Sequence, residues 1–238
     1  MRATATALAT IIALLAGAAL PAQAEMGPCQ RDASEGVVCG TGAGAARVIE
    51  GTLSPDERLA FAWRNPKGEP TEEPDQDDQL EFLLVRLADG AILATRPTGY
   101  WDIGRSRVSR LREEISWSPD SRLAVHAFQS RYETDRFEVF ALGAGNAPAA
   151  TFDLMKIVAP AITAQLRSAR QDPTDRVPSV DAGKNLTISN AGLVNFTVMT
   201  WVPKAGPIDH YDVALQIARG TATVSARIVS IKKGKEPQ

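Results

Sequence analysis

The chain has 238 residues, of which 44% are hydrophobic, 23% charged and 6% aromatic. This composition is ordinary for a globular protein and excludes collagen-like, coiled-coil and wholly disordered chains. Its 26 Lys and Arg residues against 28 Asp and Glu residues give a net charge of −2, which provides no basic field for nucleic acid.

The first 24 residues have the pattern of a secretory signal peptide. Arg2 precedes the apolar run ALATIIALLAGAAL (residues 7–20), and small residues stand at Ala22 and Ala24. The run is shorter than the about 20 apolar residues that span a bilayer. We therefore expect residues 1–24 to be removed and the rest to be exported, periplasmic or secreted, without a transmembrane segment.

Export determines how the two cysteines are interpreted. Cys29 and Cys39 are the only cysteines of the chain, and an even pair in an oxidising compartment most simply forms one disulfide. The sequence thus predicts a disulfide-pinned N-terminal segment, residues 25–46.

An internal repeat begins after this segment. SPDERLAFAW (residues 54–63) returns as SPDSRLAVHA (residues 118–127), with one difference in the first seven positions. Ser-Pro-Asp suits a tight turn, because Pro presets its own φ while Ser and Asp can bond local backbone groups. Each copy is flanked by alternating apolar runs, so the repeat predicts a strand, a turn, a second strand, a variable loop and a third strand.

A third, degenerate copy lacks the Pro-Asp pair. It comprises NLTISNAGLVNFTVMTW (residues 185–201), the loop PKAGPIDH and YDVALQIARGTATVSARIVSI (residues 211–231). Three such units predict an all-β class with antiparallel, blade-like sheet units in a single β-rich domain over residues 47–238.

One short helix is expected between the second and third units. In PAITAQLRSARQD (residues 160–172), Pro160 suits the first turn of a helix, and Ile162, Leu166 and Ala169 recur at helical spacing. The following DPTDRVPS (residues 172–179) is predicted to be a linker.

The segment SWSPDSRLAVHAF followed by FEVFAL resembles the WD40-like repeat of TolB-type β-propellers, whose blades open with W-S-P-D-G and an apolar strand. The resemblance is clearest over residues 112–153, less clear over 47–97 and weakest over 183–231. It implies blade-like sheets and protein partners, and it carries no catalytic group.

This sequence departs from the TolB-type pattern in two respects. Glu57 and Ser121 stand where Gly is usual, and three units are fewer than the four to eight blades of a closed propeller. Three alternatives remain open: the N-terminal and helical segments complete the structure, the fold is an open blade-derived one, or several chains assemble.

An acidic loop, residues 69–78, lies inside the first unit. It holds six acids, and Asp75, Asp77 and Asp78 have a spacing that can place carboxylates on a hard cation such as Ca²⁺. The EF-hand pattern is incomplete, because Arg86 occupies the position where a bidentate Glu is needed. A solvated loop is the alternative interpretation, and no other cofactor is indicated.

An arginine segment, residues 100–112, follows the first unit. Tyr100 and Trp101 precede four guanidinium groups, a composition favoured at protein-binding hot spots. These groups belong to Arg105, Arg107, Arg110 and Arg112. The segment is a candidate site for an envelope protein partner, and a solvated face neutralised by the acidic loop is the alternative.

Both histidines are weak candidates for chemistry. His126 lies in an apolar strand and is expected to be a structural residue near a blade interface. His210 lies beside Asp209, Tyr211 and Asp212, where it forms either an acid–base dyad or a simply exposed side chain. No G-x-S-x-G nucleophile pattern occurs, so an enzyme is disfavoured unless loops of different units assemble a site.

Together these patterns predict an exported, periplasmic, non-enzymatic protein-interaction module built on TolB-like β-repeats in a bacterial envelope. The alternative function is a periplasmic protein that binds a cation or small ligand through the acidic loop.

The disulfide can be tested directly. Properly exported protein should contain no free thiol, because both cysteines are oxidised in the native chain. A thiol titration of unfolded, unreduced protein measures this, and two equivalents of thiol would refute the pairing.

Overall fold

The computed structural model describes residues 26–33, 36–70, 79–98, 112–129, 133–143, 149–174, 176–181, 185–202, 206–220 and 223–234. Within these ranges the chain forms three antiparallel sheets and one helix. The predicted all-β class with blade-like antiparallel units and a short helix is confirmed. In the described part of the chain, no helix is both long enough and apolar enough to cross a membrane.

Each sheet is built from strands that are consecutive in the sequence. The first sheet contains, in chain order, β1 (Cys29–Arg31), β2 (Val37–Cys39), β3 (Ala46–Val48), β4 (Leu59–Arg64), β5 (Leu80–Arg86) and β6 (Ala91–Thr98). The second sheet contains β7 (Arg112–Trp117), β8 (Leu123–Gln129), β9 (Thr134–Ala141) and β10 (Ala150–Asp153). The third contains β11 (Val177–Val180), β12 (Thr187–Ile188), β13 (Leu193–Val202), β14 (Gly206–Arg219) and β15 (Val224–Lys233).

The three sheets correspond to the three sequence repeats. Unit 1 is β3–β6, unit 2 is β7–β10, and unit 3 is β11–β15, in which both β11 and β12 pair with β13. Two sequence-based boundaries were wrong in unit 3. The stretch 206–210 belongs to strand β14 rather than to a loop, and 177–180 forms strand β11 rather than a linker, because each pairs with β13.

The turn that opens each repeat is built around its serine. The Ser54 amide donates to the Leu59 carbonyl (2.9 Å), and the Ser54 hydroxyl accepts from the Leu59 amide (3.0 Å) and donates to the Asp56 carboxylate (2.7 Å). Ser118 makes the same bonds with Leu123 and Asp120 in unit 2. The serine therefore closes the turn from both its backbone and its side chain.

The degenerate third copy keeps this turn without the Pro-Asp pair. The Ser189 amide donates to the Leu193 carbonyl (2.9 Å), and the Ser189 hydroxyl accepts from the Leu193 amide (3.1 Å). The fourth turn residue has positive φ in all three units: 55° at Glu57, 57° at Ser121 and 80° at Gly192. This left-handed conformation explains why Gly is usual there in TolB-type repeats.

Successive turns are hydrogen-bonded to one another. The Asp56 amide donates to the Ser121 hydroxyl (3.1 Å), and the Asp120 amide donates to the Asn190 side-chain oxygen (2.8 Å). The three turns therefore lie together at one end of the molecule, which we call the turn end.

Units 1 and 2 pack with unlike faces. Each strand residue is numbered by how many positions it lies after the turn serine, so that Phe61 is seven after Ser54. The odd residues form one face (the odd face) and the even residues the other (the even face). Phe61, on the odd face of unit 1, contacts Phe140 at 5.1 Å between ring centroids. Phe140 lies opposite Ala124 on the even face of unit 2. This is the repeated, one-directional packing that a propeller requires.

Unit 3 packs against unit 2 in the same sense. The Ser189 turn is one residue shorter than the other two, because Ser189 bonds the residue four positions on and Ser118 the residue five positions on, so the odd positions of unit 3 correspond to the even positions of unit 2. Phe137 lies opposite Ala127 on the odd face of unit 2, and its ring contacts Phe196 at 4.7 Å. Phe196 is an odd-face residue of unit 3 that corresponds to His126 of unit 2, so the packing of unlike faces seen between units 1 and 2 is repeated here. The even face of unit 3, which includes Asn195 and Asp212, consequently points away from the core, and both side chains are exposed.

The N-terminal strands cover the face of unit 1 that does not contact unit 2. The even face of unit 1 packs against the N-terminal strands in a small core formed by Cys39, Ala46, Ala60, Ala62, Leu83 and Val85. Strand β1 reaches back to the β5–β6 turn, where the Cys29 amide donates to the Leu87 carbonyl (2.9 Å). The N-terminal segment thus covers the face on which a preceding blade would pack.

The helix is longer than predicted at its start. It runs over Met155–Ser168, and Pro160 lies inside it instead of in its first turn. The Asp153 carboxylate accepts from the Met155 amide (2.9 Å), which satisfies one free donor of the first turn. The buried side chains are Val158, Ile162 and Leu166, whereas the predicted Ala169 is exposed. These residues pack between units 2 and 3.

The positive φ at the fourth turn position makes a stability prediction. Glu57→Gly should raise the free energy of unfolding by about 0.5–1 kcal/mol, because relief of left-handed strain exceeds the entropy that glycine adds to the unfolded chain. Ser121→Gly should gain less, since it also removes the acceptor of the Asp56 amide. Urea unfolding measures both, and equal effects would contradict the role of the turn-to-turn bond.

Candidate functional site

Most residues of the two predicted binding segments lie outside the described residues. This holds for Tyr100, Trp101, Arg105, Arg107 and Arg110 in the arginine segment, and for Asp75, Asp77 and Asp78 in the acidic loop. Arg112 is the first residue of β7, where its backbone pairs with Gln129. Both segments therefore remain predictions, and the structure supplies their points of attachment.

Those attachment points lie at one end of the array. The acidic loop joins the end of β4 to the start of β5, and the arginine segment joins the end of β6 to the start of β7. In both units these strand ends are the ones opposite the serine turns, and the turns of the two units contact each other directly. We call this side of units 1 and 2 the loop end.

The predicted disulfide is present. Cys29 and Cys39 are bonded and lie directly opposite each other in the β1–β2 pairing. Cys39 is fully buried against unit 1, and Arg47 on β3 bonds the Asp32 carboxylate at 2.7 Å just beyond β1. The bridge therefore holds together the segment that covers the even face of unit 1.

His126 lies at the junction of units 1 and 2, as its position in the repeat predicted. Its side chain is 2% exposed and stacks on the Phe82 ring of unit 1, with centroids 4.5 Å apart. Nδ1 lies 3.8 Å from the carboxylate of Glu138, its cross-strand partner. These contacts are those of a structural histidine.

Arg96 completes this buried polar group from the neighbouring sheet. Its Nε donates to Glu138 Oε2 at 2.9 Å, and its Nη2 donates to the Thr151 hydroxyl. The guanidinium also lies 5.8 Å from the centre of the Phe140 ring. One arginine of unit 1 thus bonds two strands of unit 2.

The pKa of Glu138 reflects this arrangement. Burial by itself raises the pKa, but the contacts with His126 and Arg96 outweigh burial and hold the pKa below its usual range. The carboxylate is therefore charged at neutral pH and ties the two sheets together.

Asp209 is held by residues that follow the helix. Its carboxylate accepts from Gln171 Nε2 (2.8 Å), Arg176 Nη1 (3.0 Å) and Lys233 Nζ (2.7 Å). The bond from Lys233 is the largest influence on the pKa of Asp209, which lies below its usual range despite partial burial. This group connects the end of the helix to β14 and β15.

The geometry does not form the His210–Asp209 dyad. Neighbouring strand residues point to opposite faces, so Asp209 lies on the face with Tyr211 and His210 lies on the other. His210 is also not a simply exposed side chain, because it is 8% exposed and lies within β14. Asp212 shares its face and accepts from the Thr197 hydroxyl at 3.5 Å.

Metal-binding geometry was examined across the described ranges. They contain no group of three or more His, Cys, Asp or Glu side chains that could hold a metal ion. Comparison of the chain with family models, curated proteins and solved structures finds no match.

Sequence reasoning missed Arg96 and Glu138. Both stand in alternating strands where an outward charge is the ordinary expectation, since half of such positions face solvent. The available signal was the histidine at the ninth residue of the second repeat, where the first repeat has Ala62. A polar residue in an apolar strand requires buried partners, and the neighbouring strands supply them.

Glu138 predicts a pH dependence of stability. Its folded-state pKa is depressed, so its contribution is fully present above the unfolded pKa of about 4.3 and is lost as the pH falls through the folded value. Glu138→Gln should lower the free energy of unfolding at pH 7 by about 1–3 kcal/mol. The difference from wild type should shrink below about pH 4.

Glu81→Gln is the matched control, because Glu81 pairs with Arg64 across two strands at a more exposed site. Its effect should stay within about 1 kcal/mol. Urea unfolding at several pH values decides the matter: equal effects of the two variants, or a Glu138 effect that persists at pH 3, would contradict the buried pair.

Proposed function

We propose that this chain is a non-enzymatic protein-interaction module exported to the periplasm of a bacterial envelope. The export pattern of residues 1–24 and the TolB-like repeats support this proposal from the sequence. The observation that carries it is the attachment of the arginine segment to strands of two units that are locked together. We place the partner-binding surface at the loop end, with Tyr100, Trp101, Arg105, Arg107, Arg110 and Arg112.

The contacts between units 1 and 2 support the proposal that both ends of the arginine segment are fixed. β6 ends at Thr98 and β7 begins at Arg112, so the segment starts on unit 1 and finishes on unit 2. Arg96, two residues before the end of β6, is bonded to Glu138 and Thr151 of unit 2. Fixed ends lower the conformational entropy that a binding segment loses when it meets a partner.

The contacts of two titratable residues, His126 and Asp209, support a non-enzymatic role. His126 is engaged in ring stacking and a carboxylate contact, and Asp209 accepts bonds from three side chains. A general base needs an unshared electron pair that can accept a proton from the substrate. The side chains of His126 and Asp209 are instead held in contacts within the protein. The same residues therefore stabilise the scaffold of the proposed module.

We further propose that the units are TolB-type blades. The turn serine, the positive φ at the fourth turn position and the bond from the Trp117 indole to the Thr52 carbonyl (3.0 Å) support this assignment. The first two are local features that the W-S-P-D-G pattern implies, and the third joins the tryptophan of unit 2 to unit 1. Unit 3 packs on unit 2 as unit 2 packs on unit 1, which supports the assignment further.

The partner surface can be tested by charge removal. Replacing Arg105, Arg107, Arg110 and Arg112 with Ala should abolish capture of the protein partner from envelope extracts, while the free energy of unfolding changes little. Loss of guanidinium hydrogen bonds is the expected cause. Affinity capture with quantitative mass spectrometry, beside urea unfolding, measures both quantities.

A matched control removes the same charge elsewhere. Arg58, Arg122, Arg167 and Arg170 are exposed residues of the serine turns and the helix end. Their joint replacement with Ala should leave capture unchanged. The proposal fails if both sets abolish capture equally, or if Asp75, Asp77 and Asp78 changed to Asn abolish it while the arginine variant binds normally.

A further inference from the structure

His210 is a buried imidazole, and the described fold does not account for one of its nitrogens. The side chain is 92% buried, which follows from its 8% exposure, and its Nδ1 is enclosed with no hydrogen-bond partner in the described part of the chain. Burying a polar group without a partner is unfavourable, and native proteins do so rarely. The other histidine, His126, has ring and carboxylate contacts. His210 therefore requires another explanation.

A thioether lies directly opposite this imidazole. Met199 on β13 is the cross-strand partner of His210, so the two side chains share the even face of unit 3. Directly opposed residues have Cβ atoms about 5 Å apart. That separation allows one ion to bind an imidazole nitrogen and a thioether sulfur together. Met199 is only partly buried, which leaves a route to the pair from solvent.

An indole stands next to the pair. Trp201 lies two residues beyond Met199 on β13, and the β11–β13 register is regular through both residues, so both point to the same face. An aromatic face attracts a nearby cation through its quadrupole. Imidazole nitrogen and thioether sulfur coordinate metals as uncharged donors, which suits a cation of low charge. The Asp212 carboxylate lies on the same face and is exposed.

We propose that Met199 and His210 bind a soft monovalent cation, Cu(I), with Trp201 beside it. Thioether sulfur selects Cu(I), and imidazole suits copper, whereas Mg²⁺ and Ca²⁺ require the carboxylate and carbonyl oxygens that this pair lacks. Both cysteines are in the disulfide, so no thiolate of this chain competes for the ion. The site goes beyond the proposed function, because none of its residues belongs to the arginine segment.

The test uses Ag⁺, a redox-stable ion of the same charge and softness. Purified mature protein with its disulfide intact is titrated by calorimetry in chloride-free buffer, while tryptophan fluorescence is followed in parallel. We expect saturable uptake of a single equivalent, with a fluorescence change that Trp201→Phe removes. Ca²⁺ in place of Ag⁺ should give neither signal.

Two variants address the ligands. Met199→Leu keeps the side-chain volume and His210→Gln keeps a polar planar group, and each should abolish saturable uptake. Met155→Leu, in the helix, removes a sulfur elsewhere and should bind as wild type. Circular dichroism before each titration establishes that the variant is folded.

The following results would contradict the proposed metal site. The proposal is wrong if folded wild type takes up no Ag⁺, if folded Met199→Leu or His210→Gln binds as wild type, or if Met155→Leu loses binding too. If Met199→Leu does not fold, Met199→Gln is titrated in its place, and the same outcomes apply. Capture of the protein partner is measured separately, so either proposal can fail alone.

Discussion

The burial of unit 2 on both of its faces is the constraint on which the rest of the structure depends. Every residue of β8, from Leu123 to Gln129, is buried. One face packs on the aromatic side chains of unit 1, and the other packs on unit 3 and the helix. Because apolar burial is the main driving force for folding, a central sheet with two covers organises the units around it.

This arrangement accounts for both the polar network and the orientation of unit 3. Inside the unit 1–unit 2 junction, His126 and Glu138 are removed from water, and Arg96 supplies the positive partner that a buried carboxylate needs. On the other side, unit 3 turns its apolar odd face inward, so its even face holds the polar residues. On that face Asn195 and Asp212 are exposed, whereas Thr197 and His210 are buried.

The two proposed functions involve residues that do not hold the three units together. The arginine segment begins and ends on two sheets that are fixed to each other, which suits recognition of a protein surface without chemistry on it. The Met199–His210 pair lies on the even face of unit 3, away from that junction, with His210 buried and Met199 partly exposed. Scaffold, partner surface and candidate metal site thus rest on different residues, and each can be altered without the others.

The sequence by itself determined the class of fold, the repeated units, the disulfide and the place of His126 at a unit junction, because these depend on local patterns. Alternation predicts strands, Ser-Pro-Asp predicts a turn, and two cysteines permit a single pairing. Only the tertiary structure decided the helix start at Met155, the strand over 177–180, the Arg96–Glu138 bond and the separation of Asp209 from His210. Those features depend on which sheet packs on which face of its neighbour. The alternation of apolar and polar residues along a strand shows that its two faces differ, but it does not show which element packs on each face.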